Sequence, residues 1–183
     1  MKLQIILAAV GVCGAFGFKN LPAQETNTMP GRVGIYDSRA VSYAWFCSAE
    51  HQRQLKALTE QARAAQAAGE TNRFQTLAAD LRRQQDQIHR EGFSTAPPDE
   101  ALAEIKSRIP EIEKQAGVAA LISKWDDAAL KKYSGTASVD VTDLLVREFI
   151  QPTEKQSETI SALEKSKPLP LDQCDALIRQ GKM

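Results

Sequence analysis

The stretch Ala67-Ala68-Gly69-Glu70-Thr71-Asn72 decides how this chain folds. It weakens an otherwise proline-free run, residues 39–90, that is rich in Ala, Gln, Glu, Arg and Leu, all strong helix formers. Before it, Leu55, Leu58, Ala62 and Ala65 recur at spacings of 3, 4 and 3. After it, Phe74, Leu77, Leu81, Gln84 and Ile88 recur at 3, 4, 3 and 4. Each pattern puts a narrow apolar seam on one side of a helix, as a coiled coil needs. Length then chooses between one long helix and two. A single helix over 39–92 would run about 80 Å, and the next helical stretch, 99–116, only about 27 Å. The chain could then not return to its first strand. The spacing therefore predicts an antiparallel helical hairpin with its tip near Gly69 and arms of roughly 45 Å.

Working outward, Arg32-Val33-Gly34-Ile35-Tyr36 alternates as a short strand does. Asp37 or Ser38 then offers a side-chain oxygen to cap a helix starting near Arg39. On the far side, Gly92-Phe93-Ser94-Thr95-Ala96-Pro97-Pro98 is a loop that interrupts the returning arm. Asp99 caps a third helical stretch carrying Leu102, Ile105, Ile109, Ile112 and Ala116, with a kink or restart at Pro110. A second extended segment spans 118–125, and another short one is expected near 131–133. The turn Ser134-Gly135-Thr136 leads to Asp140 and Thr142, either able to cap a short helix carrying Leu144, Leu145, Val146, Phe149 and Ile150. The polar remainder, 151–183, is expected to hold helices at 153–166 and 171–180. The fold class is thus α+β and mostly helical: a long antiparallel, coiled-coil-like hairpin (39–116) projecting from a small β-rich body (32–38 and 117–150), with a C-terminal extension at 151–183.

At the N-terminus, Lys2 is followed by the apolar run from Leu3 to Phe18, in which Gln4 is the polar exception. This is the pattern of a secretory signal peptide, with cleavage after Ala23 and a linker at 24–31. The run is short for a bilayer span of roughly 20 residues, and a retained anchor is the alternative. Export places the protein in the periplasm. Removing 1–23 takes away Lys2 and Lys19 and no acid, leaving 21 basic and 23 acidic residues. With so balanced a charge there is no positive field for nucleic acid, and any contact with a membrane surface is weak. Cys47 and Cys174 remain, an even number in an oxidising compartment. One disulfide or two free thiols both satisfy the sequence.

Three stretches in this order resemble the Skp/OmpH-type periplasmic chaperone family. They are Arg32-Val33-Gly34-Ile35-Tyr36-Asp37-Ser38-Arg39-Ala40-Val41, then Gly117-Val118-Ala119-Ala120-Leu121-Ile122-Ser123-Lys124 with Tyr133, then Val139-Asp140-Val141-Thr142-Asp143-Leu144-Leu145. The likeness covers about residues 32–150. It implies a homotrimer whose β-rich body holds three hairpin arms around a cavity for unfolded outer-membrane or envelope proteins. It further implies an ATP-independent holdase with no catalytic residue, cofactor or metal. In that frame Val33, Ile35, Leu121, Ile122, Val141, Leu145 and Phe149 serve the body and subunit contacts. Leu55, Leu58, Phe74, Leu77, Leu81 and Ile88 form the seam of each arm. One departure stands out: residues 50–91 carry seven Lys/Arg and six Asp/Glu, whereas arms of that family are strongly basic. A non-catalytic adaptor or structural protein of the envelope is the competing expectation.

Enzymatic motifs are missing from the sequence. It contains no Gly-rich phosphate loop, nucleophile elbow, CxxC pair or HExxH helix. His51 and His89 flank the hairpin tip symmetrically and with Glu50 or Glu91 would form a weak metal site; solvated or interhelical polar roles suit them better. Trp45 is expected to pack the base of the arm, and Trp125 to cover the core of the body. Asp126-Asp127 and Arg82-Arg83 read as a helix cap and a solvated face.

Overall fold

The computed structural model describes residues 31–183; the expected signal peptide and residues 24–30 of the linker lie outside them. The described residues are mostly helical, with one small sheet among them. Strand β1 (Arg32–Tyr36) is central, flanked by β2 (Leu121–Ser123) and β3 (Ala137–Asp140) in the order β2-β1-β3. All pairings are parallel, with Gly34, Ile35 and Tyr36 opposite Leu121, Ile122 and Ser123, and Arg32 to Ile35 opposite Ala137 to Asp140. Parallel neighbours need a long crossover, and the helices between β1 and β2 supply it. Residues 34–36 and 121–123 thus share a ladder, as a chain that doubles back requires. Gly34 permits the closeness. A Cβ there would sit 3.0 Å from both Leu121 Cδ2 and Val141 Cγ2.

Asp37 caps α1 (Ser38–Cys47), its side chain accepting from the Arg39 amide. Here the expectation of one continuous outgoing helix fails. Ser48 is extended (ψ 150°) and separates α1 from α2 (Ala49–Ala67), because its hydroxyl captures the His51 amide at 3.1 Å as a new N-cap. The turn at 68–70 closes α2 with Gly69 at φ 69°. The Gly69 amide bonds Gln66 O and the Glu70 amide bonds Ala65 O, the paired pattern of a Schellman end. Helix α3 (Thr71–Phe93) follows and packs on α2. At 1.5 Å per residue the two helices are about 28 and 35 Å long, shorter than the expected 45 Å.

Next, α4 (Asp99–Glu104) starts from Pro98 rather than from an Asp99 cap; Asp99 sits in the first turn, where its charge favours the helix. The chain restarts as α5 (Ile109–Ala116) with Pro110 in the first turn, and Gly117 closes it at φ 65°. The expected strand 118–125 shrinks to β2, because Val118 is still bonded to Glu113 O and the Asp126 amide turns back to Ser123 O. The piece near 131–133, Tyr133 included, is not extended. It ends helix α6 (Asp127–Lys132), nucleated by Asp126 accepting from the Ala129 amide at 2.9 Å. After β3, Asp140 Oδ1 accepts from the first amide of α7 (Thr142–Arg147) at 2.8 Å. The tail forms α8 (Glu154–Lys165), opened by a Thr153/Gln156 capping box, and α9 (Leu171–Arg179).

The core joins Tyr36 of β1 to Val41, Trp45 and Phe46 of α1, and to Ala101, Ile105, Ile112, Val141 and Leu145. Helices α1, α4 and α5, expected in the arm, therefore pack into the body. A second cluster, Ala40, Ala44, Val146 and Ile160, seats α8 on α1 and α7. Helix α9 packs on α3, beside the bridge between Ser94 and Leu169. No helix among the described residues is long and apolar enough to cross a membrane.

Candidate functional site

Helices α2 and α3 pack on each other. Ala62 and Ala65 are buried, and Leu55, Leu58, Phe74, Leu77, Leu81 and Ile88 are half-buried. Charges on this pair are largely spent along their own helices: Arg53 with Glu50, Arg83 with Asp80, Arg73 with Glu70 at 3.0 Å, and Lys56 with Glu60 at 3.9 Å. Exposed pairs of this kind contribute little stability but leave little net field. Along one side of α3 runs a groove lined by Phe74, Ala78, Ala79 and Arg82, about 420 Å³ in volume. At Arg83 and Asp86 it meets a larger hollow of about 800 Å³ between α3, α9 and the loop after α3.

Where the pair joins the body, each helix carries a buried ionisable group. On α3, Glu91 accepts from Ser42 of α1 and from Gln87, both at 2.9 Å. Burial pushes its carboxyl above the ordinary range, against those two hydrogen bonds. On α2, His51 lies between the rings of Trp45 and Phe46. Arg90 pairs with Asp175 at 2.7 Å, tying α3 to α9.

A third cluster sits at the carboxyl ends of β1 and β2. The Asp37 carboxylate is fully buried and accepts from Lys124 Nζ at 2.6 Å, Arg39 Nη2 at 3.2 Å and Trp125 Nε1 at 3.3 Å. Its backbone amide donates to Thr142 Oγ1 at 3.1 Å. Burial raises the carboxyl, but the hydrogen bonds and charges of Lys124 and Arg39 prevail and hold it below the usual carboxylate range. Both cations reach on to the end of α8: Arg39 donates to Leu163 O and to Ser166 O (2.8 Å), Lys124 to Glu164 O (3.1 Å). They also stack on Trp125, at 5.1 and 4.9 Å from its centroid. Trp125 is thus a half-buried clamp on two cations rather than a core lid.

Of the residues expected in the body, Val33, Ile122, Val141 and Leu145 are buried within the single chain, so their side chains are core; Ile35, Leu121 and Phe149 are partly exposed. Cys47 and Cys174 are both free. The Cys174 sulfur faces His89 O at 3.8 Å and the Met183 sulfur at 3.6 Å. A disulfide does not pin the tail; polar contacts and Ile160 do. His51 and His89 have different ring partners, His89 stacking on Phe93, and the described residues hold no group of three metal-binding side chains. Trp45 does pack the base, against His51 and Phe149.

Sequence reasoning missed the Asp37–Arg39–Lys124 cluster, and Glu91. The signal for the first was present: Asp37 and Lys124 each directly follow a strand, so parallel pairing makes them neighbours. No family model matches the chain, and no curated protein or solved structure matches it.

Proposed function

We propose that this protein is an ATP-independent holdase of the bacterial cell envelope, of the Skp/OmpH kind. Helices α2 and α3 act as an antiparallel, coiled-coil-like hairpin that shelters unfolded outer-membrane or envelope proteins. The likeness rests on the three sequence stretches, which fall on β1 with the start of α1, on β2, and on the end of β3 with the start of α7. The observation that carries the proposal is the α2–α3 pair itself. Helix α2 packs on α3, both pack on α1, and α1 follows directly on the central strand of the small parallel sheet. Weak, scattered contacts from such a surface suit a binder of unfolded chains; no step of chemistry is needed. In this proposal the protein is periplasmic and works as a homotrimer through its body.

The balanced charge favours a second possibility, a non-catalytic adaptor whose hairpin meets one folded partner. Each of four acids is spent on a neighbour three or four residues away, so electrostatic capture of clients is weak. One experiment separates the two. An unfolded β-barrel protein is diluted out of denaturant with the mature protein present, and light scattering is followed. A holdase suppresses aggregation at about one trimer per client, and an adaptor leaves it unchanged. Native mass measurement tests the assembly: a monomer at micromolar concentration removes the cavity.

A further inference from the structure

His51 is 2% exposed, and its Nε2 is sealed from solvent with no hydrogen-bond partner among the described residues. Its backbone amide is held by Ser48, the residue that breaks α1 from α2. Its ring lies 5.3 Å from Trp45 and 5.2 Å from Phe46, centroid to centroid, both on the last turn of α1. The imidazole therefore joins the end of α1 to the first turn of α2, beside Gln52 Nε2, which donates to Phe46 O at 2.7 Å, across the point where the backbone has no helical continuity.

We propose that His51 makes the α1–α2 junction an acid-sensitive hinge: a proton on its ring releases the root of α2 from α1, while α3 keeps its hold on the body. In the closed state the ring is neutral, packed edge-on and tilted against Trp45 and Phe46. A charged imidazolium there lacks an acceptor for its buried N–H, which a protein interior tolerates poorly. The charged group that acts on the ring is Glu100 on α4. Burial lowers the His51 pKa from 6.5, with Glu100 pulling the other way. The sign follows. A base with a lowered folded pKa gives its full stabilisation above about pH 6.5, and loses it as pH falls from there toward the folded value. Glu91 has the opposite sign, since its raised pKa favours the buried neutral acid as pH falls. Acid therefore loosens the α2 root and relieves the α3 root. The hinge does not depend on whether the hairpin holds an unfolded client or a folded partner.

Amide hydrogen exchange on the intact protein from pH 7.5 to 5, corrected for intrinsic rates, tests it. Exchange at 52–56 should rise up to about tenfold per pH unit below 6.5, while 86–90 stays level or slows. The chain has two histidines, so the His51 ring resonance is identified by its loss in a variant; it should titrate below 6.5 with the same midpoint. Both His51→Phe and His51→Gln should abolish the acid response at 52–56, the second covering failure of the first to fold. Exchange at 52–56 that ignores pH, or that keeps its pH dependence in both variants, overturns the hinge. So does loss of the response in Glu91→Gln with His51 intact.

Discussion

Lys124 Nζ lies 2.6 Å from Asp37 Oδ2, one step beyond the last β1–β2 register pair, Tyr36 and Ser123. With Arg39 on the same carboxylate, two cations share one anion. The surplus positive charge points at the carboxyl end of α8, where the helix dipole is negative and free carbonyls await donors. One buried carboxylate thereby holds together the sheet, α1 and the C-terminal tail.

Removing that carboxylate should be costly. Asp37→Ala leaves Arg39, itself buried, without its counter-charge, and breaking one side of a buried pair typically costs about 3–5 kcal/mol. Lys124→Met should cost less, since the lysine side chain is 27% exposed. Urea denaturation of the three proteins checks the order. A pH series adds a second test. The Asp37 carboxyl is held below its ordinary 3.8, so its stabilisation is complete above that value. It should drain away as pH falls through the folded value, and this acid step should be missing from Asp37→Ala.

The α2–α3 seam makes a sharper comparison. Ala65 is 1% exposed, while Ala64, one residue away, is exposed. Ala65→Leu must push the helices apart and should cost about 1–3 kcal/mol. Ala64→Leu should stay within roughly 0.5 kcal/mol of the parent. Equal melting curves for the two variants would show that the helices do not meet along this face.

How much of this was legible in the residues follows from which forces are local. The turn at Gly69 and the cap at Asp37 were readable because turn and cap chemistry acts over a few positions. Ser48 was missed as a break: serine is unremarkable inside a helical run, and only the captured His51 amide makes it a cap. Residues 131–133 misled because Lys-Lys-Tyr has no decisive period, and Asp126, outside that window, set the helix. The site residues were hardest. Asp37 met Lys124 through a ladder whose partners lie 87 positions apart, and Glu91 met Ser42 through helix packing; neither leaves a local pattern.

The two cysteines should react differently. Cys174 is fully buried, and burial, with Asp175 beside it, pushes its thiol above the ordinary value. Cys47 is partly exposed. Brief alkylation of the folded protein followed by peptide mapping should label Cys47 and spare Cys174, and denaturant should expose both. A linked Cys47–Cys174 peptide in the non-reduced digest would instead mean that the tail closes covalently.

Gly34 shows how tightly the sheet closes. A Cβ there meets side chains of both Leu121 and Val141 at 3.0 Å, so Gly34→Ala should cost about 1–3 kcal/mol through overpacking alone. Gly69→Ala should cost a comparable 1–2 kcal/mol for a different reason, since nothing lies near its Cβ but φ is 69°. The two causes separate under compensation. Leu121→Ala should recover part of the loss in Gly34→Ala by making room, and should add its own loss unchanged to Gly69→Ala. A double-mutant cycle by urea denaturation reads the difference: a favourable coupling for the first pair, none for the second. Absence of coupling between positions 34 and 121 would mean that the strands do not lie in the register described.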